Sequence, residues 1–143
     1  MTIDKENRPL VKAMIKTQYG PVIERTLCAF ILTDLNEMMS SATISSKKQL
    51  SFQQYMQARQ EFMLSTQVKT RLLMRLNSLR YLRNDMITEI LKQYDLKLPI
   101  DEIAYYHDVL SEIAIKFEKK LEDWIKGNHY YRISNHLNKL TSH

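Results

Sequence analysis

STQVKTRLLMRLNSLRYLRNDMITEILKQ, residues 65–93, decides the fold. Leu72, Leu76, Leu79, Met86 and Ile90 recur every three or four residues, which is the period of one helix face and not of a strand. Ser65 and Thr66 are both suited to cap the start of this helix, because a hydroxyl there accepts an otherwise orphaned backbone N–H. Position 83 falls inside the same stripe and carries arginine. A guanidinium keeps its charge in proteins, so Arg83 needs a carboxylate, a bound anion or a path to water along its own stem. Asp34, Asp108 and Glu112 are the acids expected to serve it. The alternative is a cleft or dimer groove in which Arg83 holds a phosphate or carboxylate.

Working upstream, Ser51 predicts the N-cap of a helix running to about Leu64. The serine-rich stretch from Ser40 to Lys48 predicts a mobile loop over residues 41–50. Before it, Ile23, Leu27, Ile31, Leu35 and Met38 define a helix from about Val22 to Ser40. Gly20-Pro21 is expected to stop a first helix that begins near Pro9. Downstream, Leu98-Pro99-Ile100-Asp101 reads as a turn, with Asp101 as cap and Ile100 as staple. Ile103, Tyr106, Leu110, Ile113, Phe117, Leu121 and Trp124 then line one face of a long helix that ends at Gly127-Asn128. A short terminal helix over 129–140 carries Tyr130, Ile133, Leu137 and Leu140. With two glycines and three prolines in 143 residues, few turns can be built. The expectation is an all-α fold, one domain over residues 1–143, built as a bundle of five or six antiparallel amphipathic helices.

The 44% apolar content is that of a globular chain. No apolar run is long enough to span a bilayer, the N-terminus is charged, and the single Cys28 cannot form an internal disulfide, so no membrane association and a cytoplasmic location are expected. The net charge of +5 is distributed unevenly. Between Ser45 and Arg83, eight cations face Glu61 alone, a local balance of +7; between Asn84 and Ile125, ten acids face five lysines, a balance of −5. Either two helices of opposite sign pack side by side, or the basic helix presents a face to RNA, DNA or another polyanion.

Several chemistries are excluded by residue type. Two glycines cannot build a phosphate-cradling loop or a dinucleotide fingerprint. His129, His136 and His143 are seven residues apart, roughly 10.5 Å along a helix, too far for neighbours to share a metal. Cys28 lies among apolar residues and reads as a buried, inert thiol. No catalytic residue, metal site or cofactor is expected. The methionines at 38, 39, 56, 63, 74 and 86 read as core filler, although methionine and tyrosine also build adaptable interfaces. Tyr105-Tyr106 and Tyr130-Tyr131 each place one ring inward and one outward.

Leu76-Asn77-Ser78-Leu79-Arg80-Tyr81-Leu82-Arg83-Asn84-Asp85 resembles the late-helix signature of HEPN domains, helical bundles of toxin–antitoxin and abortive-infection (phage-defence) systems. The resemblance implies a homodimer whose Arg-Asn pair, here Arg83-Asn84, lies in an RNA-cleaving groove with a motif histidine. That histidine is missing: Asn84 to Ile90 contain none. Without an imidazole to move the proton of the ribose 2′-hydroxyl, the resemblance implies a binding domain instead of an endoribonuclease. Only Arg83 and Asn84 carry over from the motif; Arg80, on the same basic helix, is a further candidate for contacting the nucleic acid or anion.

Leu64-Ser65-Thr66-Gln67-Val68-Lys69-Thr70-Arg71-Leu72 is similar to the recognition helix of helix-turn-helix regulators, with Ala58 ten residues before Val68 to close the helix pair. This resemblance implies DNA contacts from Lys69, Arg71 and Arg75. Phe62 stands where the turn usually takes glycine, and Glu61 where an apolar residue packs. The sequence therefore leads to a non-catalytic regulatory or interaction protein binding RNA or a protein partner. The alternatives are a DNA-binding transcriptional regulator, a HEPN-type endoribonuclease, and an accessory or inhibitor protein directed at another protein.

Overall fold

The computed structural model describes residues 7–44, 51–93 and 100–142. Five helices account for nearly all of them: α1 (Arg8–Ile44), α2 (Phe52–Met63), α3 (Thr66–Gln93), α4 (Ile100–Lys126) and α5 (Tyr130–Thr141). Among the described residues there is no strand, and no helix is long and apolar enough to cross a membrane.

The two helices expected on either side of Gly20-Pro21 are one. α1 runs for 37 residues with Pro21 inside it. A mid-helix proline removes one backbone hydrogen bond and presses on the carbonyl four residues earlier, costing about 3 kcal/mol. The apolar positions explain why the helix continues. Ile15, Tyr19, Ile23, Leu27, Ile31, Leu35 and Met38 are all buried and keep one phase across the proline. At about 1.5–3 kcal/mol for each large apolar side chain buried, two such residues offset the cost. Pro21 is on the exposed side of α1. Glycine at position 20 also matters, because a Cβ before proline disfavours the helical conformation.

The predicted loop over 41–50 begins inside α1, which extends to Ile44; residues 45–50 lie outside the described residues. α2 starts where expected. Ser51 and Gln54 form a reciprocal capping box, with Gln54 N donating to Ser51 Oγ at 3.3 Å and Ser51 N to Gln54 Oε1 at 3.1 Å. The break at Ser65 is present too, and its hydroxyl accepts Val68 N at 3.3 Å. The turn at Leu98-Pro99 lies outside the described residues, and α4 already includes Ile100 and Asp101, so Asp101 is a first-turn residue and not the cap. α4 closes with Asn128, not Gly127, in the left-handed region (φ 61°). His129 N donates to Trp124 O at 2.7 Å and Asn128 N to Ile125 O at 3.1 Å, the bond pair of a Schellman motif.

Side-chain partners fix the sense of each helix pair. Arg71 meets Asp34 and Arg75 meets Phe30, so α3 runs against α1. Arg80 meets Glu122 and Arg83 meets Glu118, so α3 also runs against α4. By contrast, Tyr105 donates to the carbonyl of Arg8 and Lys12 meets Glu112, so α1 and α4 run the same way. A parallel pair therefore forms the centre, which differs from an all-antiparallel arrangement. α3 covers one side of this pair and α5 the other. The core is continuous through α1, α3, α4 and α5; α2 contributes no buried residue.

Candidate functional site

Arg83 does have a carboxylate, but not one of the three expected. Its Nε donates to Glu118 Oε2 at 2.8 Å and its Nη2 to Glu118 Oε1, a two-pronged pair across the α3–α4 seam. The Glu118 side chain is 2% exposed and that of Arg83 22%. The hydrogen bond to Glu118 holds the Arg83 guanidinium charged, its pKa raised above the ordinary arginine value. Arg80 extends the cluster. Its Nη2 meets Glu122 at 2.9 Å, its Nε lies 3.8 Å from Glu118, and its Nη1 donates to Asn77 Oδ1 at 2.8 Å. Glu122 also takes Lys126 at 3.0 Å, and these two cations, Lys126 first, hold its carboxyl below the usual carboxylate range. At Arg80 and Arg83 the basic helix α3 is thus neutralised by the acidic helix α4.

Glu118 was legible in principle. Ala114, Glu118, Leu121 and Ile125 recur as one buried stripe on α4, so an acid interrupts that stripe just as Arg83 interrupts its own on α3. Each exception is the other's partner. Asn84 is exposed, and its carbonyl accepts Thr88 Oγ1 at 2.8 Å; it takes no part in the Arg83 cluster.

Two of the other three basic candidates, Arg71 and Arg75, lie on the opposite seam. Arg71 Nε is 3.6 Å from Asp34 Oδ2, and Asp34 is buried. The Arg75 guanidinium stacks on Phe30 at 3.8 Å from the ring centroid, with its Nε buried and lacking a hydrogen-bond partner. Lys69 is half-buried, with no carboxylate in ion-pair distance among the described residues. The six candidate residues therefore do not converge: Arg80 and Arg83 face α4, while Arg71 and Arg75 face α1. Val68 is buried, but Ala58 is exposed, and α2 meets the core only through the partly buried Phe62 and Met63 at its end.

His129 and His136 take separate partners, and His143 lies outside the described residues. His136 Nε2 is 2.7 Å from Glu24 Oε2 and its ring sits against Phe117 and Trp124; His129 packs edge-on to Tyr131. Cys28 is free and buried, and burial pushes its thiol up to about 12. Among the described residues, no three acids, histidines or cysteines are placed to hold a metal.

A different feature, away from the basic residues, leaves apolar surface open. A groove of 880 Å³ runs between the second half of α1, α2 and the start of α5. Leu32, Leu35 and Met39 come from α1, Met56 and Met63 from α2, and Tyr130 and Tyr131 from α5. Phe52 (78% exposed), Met56, Leu64 (55%) and Tyr131 leave apolar surface facing solvent. Glutamines and asparagines rim the groove, and among the described residues Arg59 is the one charged side chain lining it. Tyr130 is the fixed wall: burial raises its phenol, and its hydroxyl donates to Asn128 Oδ1 at 3.0 Å. Comparison with protein-family models, curated proteins and solved structures finds no match to this chain.

Proposed function

We propose that this chain is a non-catalytic helical interaction protein whose groove between α1, α2 and α5 receives an apolar surface of another protein. The observation that carries the reading is α2, a helix with no buried residue whose Phe52 and Met56 stand exposed over a charge-poor groove. Exposed apolar surface ringed by polar residues is what a protein–protein site leaves open before its partner arrives. Methionine and tyrosine suit that role because the first adapts its shape and the second offers area at low entropy cost.

The pairing of Arg83 with Glu118 supports the non-catalytic part. An RNA phosphate would have to displace a two-pronged carboxylate from a guanidinium that is itself largely covered. Metal-independent RNA cleavage that disappears in Arg83→Ala would overturn it. For the groove, a photo-crosslinking residue at position 56 in the native host is expected to give a discrete protein adduct that Phe52→Glu removes. Tyr81, 89% exposed on α3, is the control position. No adduct at 56, or equal adducts at 56 and 81, would refute the groove. Sedimentation of the purified chain then tells whether the adduct is a second copy or a different protein.

A further inference from the structure

A second groove, of 480 Å³, lies along the seam of the parallel pair α1 and α4. Because the two helices run the same way, side chains spaced by four residues stay in register across it. α1 presents Lys16, Gly20 and Glu24; α4 presents Glu112, Lys116 and Lys120. Phe117, buried, forms part of the floor.

Both acids are already engaged. Glu112 takes Lys12 at 2.9 Å, which holds its carboxyl below the usual range, and Glu24 meets His136 at 2.7 Å. Lys16, Lys116 and Lys120 have no carboxylate in ion-pair distance among the described residues, and Lys120 lies 5.2 Å from the Trp124 ring centroid. Three lysines without an ion-pair partner among the described residues thus share one small concavity with two carboxylates, one of which, Glu112, is already matched by Lys12 from outside the groove lining, so the groove keeps an excess of positive charge. Gly20 enlarges it: a Cβ there would meet no atom of another helix within 4 Å, so the absence of a side chain leaves open space.

We propose that this groove binds a small ligand carrying two or more phosphate groups, held by Lys16, Lys116 and Lys120. A compact ammonium suits a phosphate oxygen as a point charge, and mutual repulsion among three of them favours a multivalent anion over a monocarboxylate. The volume is that of a small-molecule site. Glu24 and Glu112 confine the positive charge to a stretch of about 12 Å, eight residues of helix rise, which fits a di- or triphosphate and works against a nucleic-acid strand passing through. The site is separate from the apolar groove and does not depend on it.

Calorimetric titration of the full chain with inorganic pyrophosphate and tripolyphosphate, at ionic strength fixed with sodium chloride, tests this. One saturable site is expected. Lys116→Gln and Lys120→Gln should each weaken it about tenfold or more, the effect of losing one charged hydrogen bond; Lys126→Gln, whose lysine serves Glu122 elsewhere, should leave it unchanged. Gly20→Leu, made together with Pro21→Ala so that the new side chain does not meet the proline ring, should fill the groove and abolish binding while helicity is retained. Absence of binding by both probes, binding indifferent to the two lysine substitutions, or binding that survives the filled groove would each overturn the proposal. So would a short RNA that competes as well, phosphate for phosphate, as tripolyphosphate.

Discussion

Replacing Arg83 by methionine keeps much of the apolar stem and removes the charge. What it leaves behind is Glu118, a carboxylate 2% exposed in the α3–α4 seam. Breaking a buried pair from one side costs about 3–5 kcal/mol, because the remaining charge is neither solvated nor matched. Arg80 Nε, 3.8 Å from the same carboxylate, can close in and relieve part of this, so the lower end, about 3 kcal/mol, is expected. In a domain of this size that corresponds to a melting-temperature drop of roughly 6–12 °C. The reverse change, Glu118→Leu, should cost less: Arg83 is 22% exposed and its long stem can carry the guanidinium to water. The double variant Arg83→Met/Glu118→Leu is the informative one. Replacing both charges by apolar groups of similar volume is often neutral, so the double variant should lie within about 1 kcal/mol of the parent and give a coupling of about 2 kcal/mol or more. Urea unfolding followed by helical circular dichroism and by the fluorescence of Trp124 measures all four corners of the cycle. Costs that simply add, or an Arg83→Met variant within about 0.5 kcal/mol of the parent, would refute the claim that the two charges interlock the helices.

Other substitutions test other parts of the structure. Pro21→Ala restores the backbone donor to Thr17 in the exposed side of α1 and should stabilise the chain by about 1–3 kcal/mol, read as a higher melting temperature; a lower one would show that α1 needs its proline. Cys28, with its thiol at about 12, should resist a disulfide reagent at pH 8 and react at the rate of unfolding once urea is added. Glu122, held below its ordinary value of 4.5 by Lys126 and Arg80, contributes stability present above that value and lost as pH falls through the depressed one. Glu122→Gln should therefore flatten the decline of the urea midpoint below about pH 4.5, and an unchanged slope would argue that these contacts are not maintained in solution.

The helical class is readable because the apolar period runs through every long segment, even where Arg83 and Glu118 interrupt it. The division of α1 was misread because Gly20-Pro21 is a strong local stop signal. The contrary sign, a stripe from Ile15 to Met38 that keeps its phase across the proline, is a relation between two segments and is easily lost when each is read alone. Arg83 was legible as a charge in need of a partner, since its position in a stripe is a local fact. Its partner was not, because 35 residues separate it from Glu118 and only the packing of α3 on α4 fixes the register. The same holds for both grooves. The residues lining the first come from three helices, and the second exists only because α1 and α4 are parallel, which no single-helix periodicity encodes.

The isolation of α2 has a thermodynamic consequence. A helix of 12 residues is marginal in water unless tertiary packing holds it, and α2 has a capping box but no buried side chain. Its amides should exchange with solvent through local opening at a small free energy, while those of α1, α3 and α4 await global unfolding. The wall of the apolar groove is then the least cooperative part of the molecule. A partner that fills the groove must also order this wall, so its affinity carries the conformational entropy of α2, and the slowing of exchange at α2 would report occupancy directly. Changes at Ser51 and Gln54, which touch no groove surface through the capping bonds themselves, would in this way tune affinity by setting how often the site is present.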